Sequence, residues 1–267
     1  MYVHWINSLA LTSFAEVETN LGERRKLLEK ALEHMTEERR LSDDLERYMY
    51  WNLGLGLSHL ANLQVELSDL QRDTENRKRM VEEAVSHKER GIQLCIKHIV
   101  YSEKTGDLAY FAVLGYIQYT FGEWLSRLSV LTNNNEHQRR ATKAYEEAAL
   151  SYQKVSMFSR VAECRWKAAR NCDTLGEYLK AAENFNTASD DYKNAAEKIP
   201  QLKDLYQDHA LYMQAWSEIE KARHHHLRQQ YESAREHYEK AANLHQPSKQ
   251  WSYLTPNYSA WANVENA

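Results

Sequence analysis

Glycine and proline are scarce in this sequence: its 267 residues include 8 Gly and 3 Pro, about a third of the roughly 12% that average usage supplies. Sandwiches, barrels and βαβ folds need frequent turns or Gly-rich crossover loops, and that punctuation is missing. Cysteine is sparse as well. Cys95, Cys164 and Cys172 form an odd set, and the last two stand on one expected helix, about 12 Å apart along its axis and too far to bridge. Such usage fits a reducing cytosol and a cytoplasmic protein. Long apolar runs are lacking too. The longest uncharged stretch, Leu108 to Gly122, has 15 residues and is interrupted by Tyr, Gln, Thr and Gly. That is short of the roughly 20 apolar residues a bilayer span requires, so no membrane insertion is expected. The opening MYVHWINSLAL carries neither the basic stretch nor the small-residue cleavage site of a secretory signal. Nor does either charge dominate: 34 Lys and Arg against 38 Asp and Glu give a net charge of −4. The two signs are interspersed, so a nucleic-acid partner is excluded on electrostatic grounds.

What the sequence does have is apolar material at helical spacing. Hydrophobic residues make up 43% and charged residues 27%, enough to bury a core and to exclude wholesale disorder. Apolar residues recur at i, i+3, i+4 and i+7 almost throughout. The pattern breaks near Thr19–Gly22, Leu41–Asp44, Leu70–Thr74, Ser102–Gly106, Thr132–Asn135, Met157–Phe158, Leu175–Gly176, Ile199–Gln201, Gln229–Gln230 and Gln246–Ser248. Eleven helices follow. Connections this short force consecutive helices into antiparallel hairpins, five of them, with the last helix unpaired. Glycines at 54, 56, 91, 115 and 122 fall inside expected helices, where close helix contact is the reason to keep them; Gly22, Gly106 and Gly176 mark breaks.

Stacked hairpins reveal themselves as a repeat. Tyr178, Ala181, Phe185 and Ala188 are matched 53 residues later by Tyr231, Ala234, Tyr238 and Ala241, and Ala141, Tyr145 and Ala148 stand 40 residues before the first set. Two small residues and one ring thus share a helical face, the arrangement needed where neighbouring helices approach closely. A fainter version reads Leu28/Ala31 and Val81/Ala84, with Arg24 and Arg77 in place of the first Ala. The final Ala of each set, at 31, 84, 148, 188 and 241, belongs to the second helix of a hairpin. The seven tryptophans, at 5, 51, 124, 166, 216, 251 and 261, fall instead in first helices or in the final helix. Core packing accounts for that stripe; the alternative places the rings on an inner groove.

At these residues the chain resembles the tetratricopeptide repeat family. Tyr178-x2-Ala181-x3-Phe185-x2-Ala188 and its copy from Tyr231 look like the second half of that repeat. Ala169 stands where the family prefers Gly, and Leu53-Gly54 and Leu114-Gly115 look like its Leu-Gly pair. The resemblance is good over about 136–245 and vague before it. Spacings of 40 and 53 depart from the family's 34 or so, so the hairpins are longer than usual and more similar to the SNAP-like branch of vesicle-fusion adaptors. The resemblance implies an all-α, right-handed α-solenoid of about five antiparallel hairpins plus a final unpaired helix. The expected organisation is one helical-repeat domain over 1–267, with divergent long hairpins over 1–135, clearer ones over 136–245 and a terminal or truncated helix over 248–267. It also implies a concave groove lined by first helices, whose inner positions carry over to Trp51, Ser58, His59, Tyr116, Tyr119, Trp166 and Arg170.

Signs of chemistry are absent. No Glu has His three residues on, and neither His-Glu-x-x-His nor Cys-x-x-Cys occurs. His224, His225 and His226 are consecutive, so on a helix they point about 100° apart and do not converge on one ion. There is no nucleophile elbow, phosphate loop or dinucleotide fingerprint. The reading is therefore a non-enzymatic scaffold or adaptor, without metal or cofactor, that binds a peptide or helix of a partner protein. The alternatives are a SNAP-like adaptor in membrane traffic, which would use the outer face and the end of the stack, and a peptide or small-ligand sensor domain of a larger regulatory protein. The apolar terminal helix, with Trp251, Tyr258 and Trp261, offers a contact for an oligomer.

Overall fold

A computed structural model describes residues 2–42, 50–102 and 108–265. Among the described residues there are eleven α-helices and no strand: α1 (Tyr2–Val17), α2 (Leu21–Ser42), α3 (Tyr50–Asp69), α4 (Thr74–Ser102), α5 (Ala109–Thr132), α6 (Asn135–Lys154), α7 (Phe158–Thr174), α8 (Tyr178–Lys198), α9 (Lys203–Leu227), α10 (Tyr231–His245) and α11 (Thr255–Glu265). The breaks expected near Leu41–Asp44 and Ser102–Gly106 extend outside the described residues, and Gly106 lies there; the other eight coincide with helix boundaries within a few residues. Helices pack as sequence neighbours, α1 through α5 in one series and α7 through α11 in another. The chain divides into two compact units, Met1–His137 and Gln138–Ala267.

Four of the turns share one geometry. Asn133, Ser156, Gly176 and Gln229 all have positive φ, between 50° and 74°. In each case the following residue donates its N–H to a carbonyl five positions back: Asn134 to Ser129, Met157 to Tyr152, Glu177 to Cys172 and Gln230 to His225. This left-handed cap satisfies the orphan carbonyls of a helix end and reverses the chain in two or three residues. Only one of the four is glycine, which is how so many turns fit a sequence with so few glycines.

Unit 1 is cored by leucine. Leu28, Ala31, Met35, Leu53, Leu57, Leu60, Leu63 and Leu94 form one buried cluster. Helices α3 and α4 cross with almost no separation: a Cβ on Gly54 would stand 2.6 Å from Cys95 Sγ and 2.8 Å from the Gly91 carbonyl, and one on Gly91 would stand 2.8 Å from the Gly54 carbonyl. Only hydrogen fits at either position. Arg24 and Arg77, at the first-Ala positions of the faint repeats, reach across to the acids of α3, pairing with Glu66 at 3.7 Å and with Asp69 at 3.5 Å.

Unit 2 is cored by alanine and aromatic rings. The Ala-x3-ring-x2-Ala positions there are buried, Ala141, Tyr145, Ala148, Ala181, Phe185, Ala188, Ala234, Tyr238 and Ala241, whereas the leading tyrosines are not: Tyr178 is half-buried and Tyr231 exposed. The small residues let α8 approach α7 and α9 closely enough that Ser189 Oγ donates to the carbonyl of Ala210 at 2.8 Å. Gln138 of α6 donates to Asn171 Oδ1 of α7 at 2.6 Å inside the core. One detail differs from the sequence reading. The last helix begins at Thr255, not at 248, and Trp251 sits before it in a turn, followed by a short 3-10 turn over Ser252–Leu254. Pro256 sets the boundary, because its fixed φ and missing N–H are tolerated in the first turn of a helix and not further in.

Candidate functional site

The cleft of unit 2 is built by three helices. Trp166, Arg170 and Asp173 stand at i, i+4 and i+7 on α7 and so share one face; Tyr212 and Trp216, at i and i+4, share a face of α9. Phe185 of α8, itself buried, supplies the floor. These six residues line an open cleft of about 290 Å³. Its walls are mostly rings. Phe185 stacks on Trp216 with centroids 5.8 Å apart, and Tyr212 meets Trp216 edge-on at 6.2 Å.

One end of the cleft is charged. Arg223, two turns beyond Trp216 on α9, donates to Asp173 Oδ1 at 2.5 Å and to Glu220 Oε1 at 3.2 Å, and its guanidinium lies 4.6 Å from the centre of the Tyr178 ring. Glu220 is fully buried. Burial, followed by the charge of Asp173, pushes its carboxyl up to about 7 against the opposing pull of Arg223. Arg170 is different. It is exposed and has no ion pair among the described residues, because the carboxylate three residues along its own helix, Asp173, is taken by Arg223.

The wall formed by Tyr212 is braced from behind. Trp251 stacks on Tyr212 at 4.2 Å and meets His209 edge-on at 5.1 Å. The backbone N–H groups of Lys249 and Gln250 each donate to the carboxylate of Asp208 at 3.0 Å, and Lys249 Nζ pairs with Asp204 at 2.8 Å. Nearby lies His245, fully buried, near Tyr212 and stacked on Tyr258 at 5.3 Å, with neither ring nitrogen hydrogen-bonded among the described residues. Burial lowers it to about 4, so it is a neutral ring at ordinary pH.

The seven groove positions expected from sequence are divided between the two units. Trp166 and Arg170 meet in the cleft. The other five belong to unit 1. Trp51 packs in a ring cluster with Tyr110 at 4.5 Å and His98 at 5.6 Å. Ser58 is 4% exposed and lies where α3 crosses α4, so it presents no binding surface. His59 is hydrogen-bonded to Ser8 Oγ at 3.0 Å, and burial and the nearby Lys88 charge lower it to about 4. Tyr119 is half-buried and Tyr116 is exposed. The cleft residues that the sequence reading did not place there are Asp173, Phe185, Tyr212 and Trp216. Two of them were visible in another role, Phe185 in the repeat and Trp216 in the tryptophan stripe.

Unit 1 holds a buried cation of its own. Lys88 of α4 is fully buried; its ammonium donates to Asn62 Oδ1 at 3.0 Å and sits 4.4 Å from the centre of the Trp124 ring, with no carboxylate against it among the described residues. Burial brings it down to about 7. The three cysteines are buried and free, and burial raises their thiols, Cys95 to about 12 and Cys172 to about 11, so they are poor nucleophiles. No group of three or more His, Cys, Asp or Glu positioned for a metal occurs among the described residues, and no described helix is long and apolar enough to cross a membrane.

No family model matches the sequence, and no curated protein matches it. Similar solved structures include the DHF58 filament, with 16% identity and a TM-score of 0.39 over 86% of this chain and 99% of that one. The de novo designed helical repeat protein DHR64 shows 17% identity and a TM-score of 0.31 over 85% and 95%. The DHF119 filament shows 16% identity and a TM-score of 0.29 over 85% and 96%.

Proposed function

We propose that this protein is a non-enzymatic interaction module of the cytoplasm whose second unit, built of tetratricopeptide-like hairpins, holds a segment of a partner protein in the cleft between α7 and α9. The observation that carries the reading is the cleft itself. Four rings and an Arg with no ion pair among the described residues converge on an open volume of about 290 Å³, and Trp, Tyr and Arg are the residues that dominate the energetics of protein interfaces. The volume sits at the lower edge of the range for small-molecule sites, which suits one large side chain of a bound segment better than a cofactor. The buried, poorly ionising thiols suit a reducing compartment.

The test is affinity capture with identification of the bound proteins, comparing the wild type with Trp166→Ala/Arg170→Ala and with a control at an exposed position outside the cleft lining, Lys143→Ala. A set of proteins lost with the double variant and kept by the control supports the cleft. Undiminished capture by the double variant refutes it.

A further inference from the structure

We infer that the segment taken by the cleft is acidic, presenting one bulky apolar or aromatic side chain to the rings and a neighbouring Asp or Glu to Arg170; this rests on the reading of the cleft as a peptide site. Arg170 and Asp173 are the charged residues of the lining, and Arg223 and Glu220 stand beside Asp173. Asp173 accepts from Arg223 at 2.5 Å, and Arg223 is shared with the buried Glu220 at 3.2 Å. Those three satisfy one another. Arg170, an exposed residue of the lining, is left with no ion pair among the described residues. Its i−4 neighbour is Trp166 and its i+3 neighbour, Asp173, is engaged across the interface with α9, so nothing on its own helix face neutralises it.

The chemistry that fits is therefore anionic beside apolar. A guanidinium presents a planar fork of donors that matches a carboxylate, and such charge-assisted bonds are among the stronger ones available to a bound peptide. The rings of Trp166, Phe185, Tyr212 and Trp216 take the apolar side chain next to it, in a space that admits one such side chain at a time. A cationic side chain would find attractive ring faces in the same cleft, but it would also face the unneutralised Arg170, which decides against it.

The experiment uses the full chain and three fluorescein-labelled twelve-residue peptides, each with a single central Phe flanked by Glu, by Gln or by Lys, followed by fluorescence anisotropy at low and moderate salt. The expected result is at least a tenfold preference for the Glu-flanked peptide over the Lys-flanked one, weakened by salt. Arg170→Glu should invert the order, and Trp216→Ala should weaken all three. Equal binding of the Glu- and Gln-flanked peptides that is still lost in Trp216→Ala overturns the acidic preference and leaves the peptide site standing. An order unchanged by Arg170→Glu overturns it as well, and so does the absence of binding to any of the three. Phenylacetate binding more tightly than the Glu-flanked peptide would mark a small-ligand pocket and overturn the inference from the other side.

Discussion

Replacing Lys88 by Met isolates the cost of a buried ammonium. Lys88 is fully buried, with Asn62 Oδ1 as its acceptor and the Trp124 ring 4.4 Å away. Burial holds its folded value near 7 against 10.5 for a free lysine. The sign follows from proton counting. Between pH 7 and 10.5 the unfolded chain keeps this proton while the folded protein sheds it, so stability rises with pH across that window and falls as pH drops towards 7. Each pH unit between the folded and free values is worth about 1.4 kcal/mol, so the lysine costs about 4 kcal/mol at pH 7, and about 1.6 kcal/mol of that is recovered by pH 8.5. Methionine has similar length and no proton to lose. In urea unfolding followed by circular dichroism, Lys88→Met should be more stable than wild type at pH 7, by about 2 kcal/mol after loss of the cation–π and Asn62 contacts. The decisive quantity is the change in that difference, which should shrink by about 1.6 kcal/mol from pH 7 to 8.5. Other groups do not confuse the window. The buried thiols and Glu220, which titrates near 7, are common to both proteins and cancel in the difference. Stability curves that run parallel over pH 7–8.5 would show that Lys88 keeps its proton in the folded protein and refute the reasoning.

Three further outcomes follow from the fold. Gly54→Ala should lower stability by about 2–3 kcal/mol, because its Cβ meets Cys95 Sγ at 2.6 Å and backbone at 2.8 Å, whereas Gly56→Ala meets the ends of two flexible side chains, the Glu38 carboxylate at 3.1 Å and Met35 Cε at 3.5 Å, and should cost much less; equal losses in thermal melts would contradict the helix crossing. Ser156→Gly and Gln229→Gly should each raise stability by about 0.5–1 kcal/mol, since both residues hold φ near 60°, a strain for any residue with a Cβ; a loss in either would mean that the side chain contributes more than the strain removes. His245 is depressed from 6.5 to about 4, so the unfolded chain binds the extra proton between those values and stability drains away as pH falls through them; His245→Phe should spare about 2–3 kcal/mol of that loss at pH 4.5, and a variant with the same acid profile as wild type would sink the assignment.

The fold was legible wherever chemistry repeats at fixed spacing. In unit 2 the alanines of the repeat and the ring between them proved to be buried, from Ala141 to Ala241, though the leading Tyr178 and Tyr231 did not, because a face that must admit a neighbouring helix tolerates few residue types. In unit 1 the same role passes to leucines and to two helix-crossing glycines, and leucine is too common a helix residue to announce a register. The turns hid for a related reason: Asn133, Ser156 and Gln229 adopt the left-handed geometry without the glycine that would have marked it. The site was legible in half. The face of α7 could be phased from Ala169, which placed Trp166 and Arg170 correctly beside each other. The face of α9 could not, because no repeat landmark sets its phase and a shift of one residue rotates every position by about 100°.

That missing landmark and the cleft have one physical origin. Helix α9 has 25 residues where α7 has 17, and this extra length contributes to the repeat spacing of 53 in place of 40. The added turns lie at its N-terminal end, and they are the ones that receive the segment after α10: Asp204 takes Lys249, Asp208 takes two backbone N–H groups, and His209 and Tyr212 take Trp251. In a helix of ordinary length Tyr212 would fall in the first turn, where helices fray. Here it sits well inside α9, stacked on Trp251 and lining the cleft. If the cleft binds a segment as proposed, a wall already held in place saves the ordering cost that a mobile ring would add. The departure from regular repeat length, which obscured the site in the sequence, is thus what fixes one side of it in the structure.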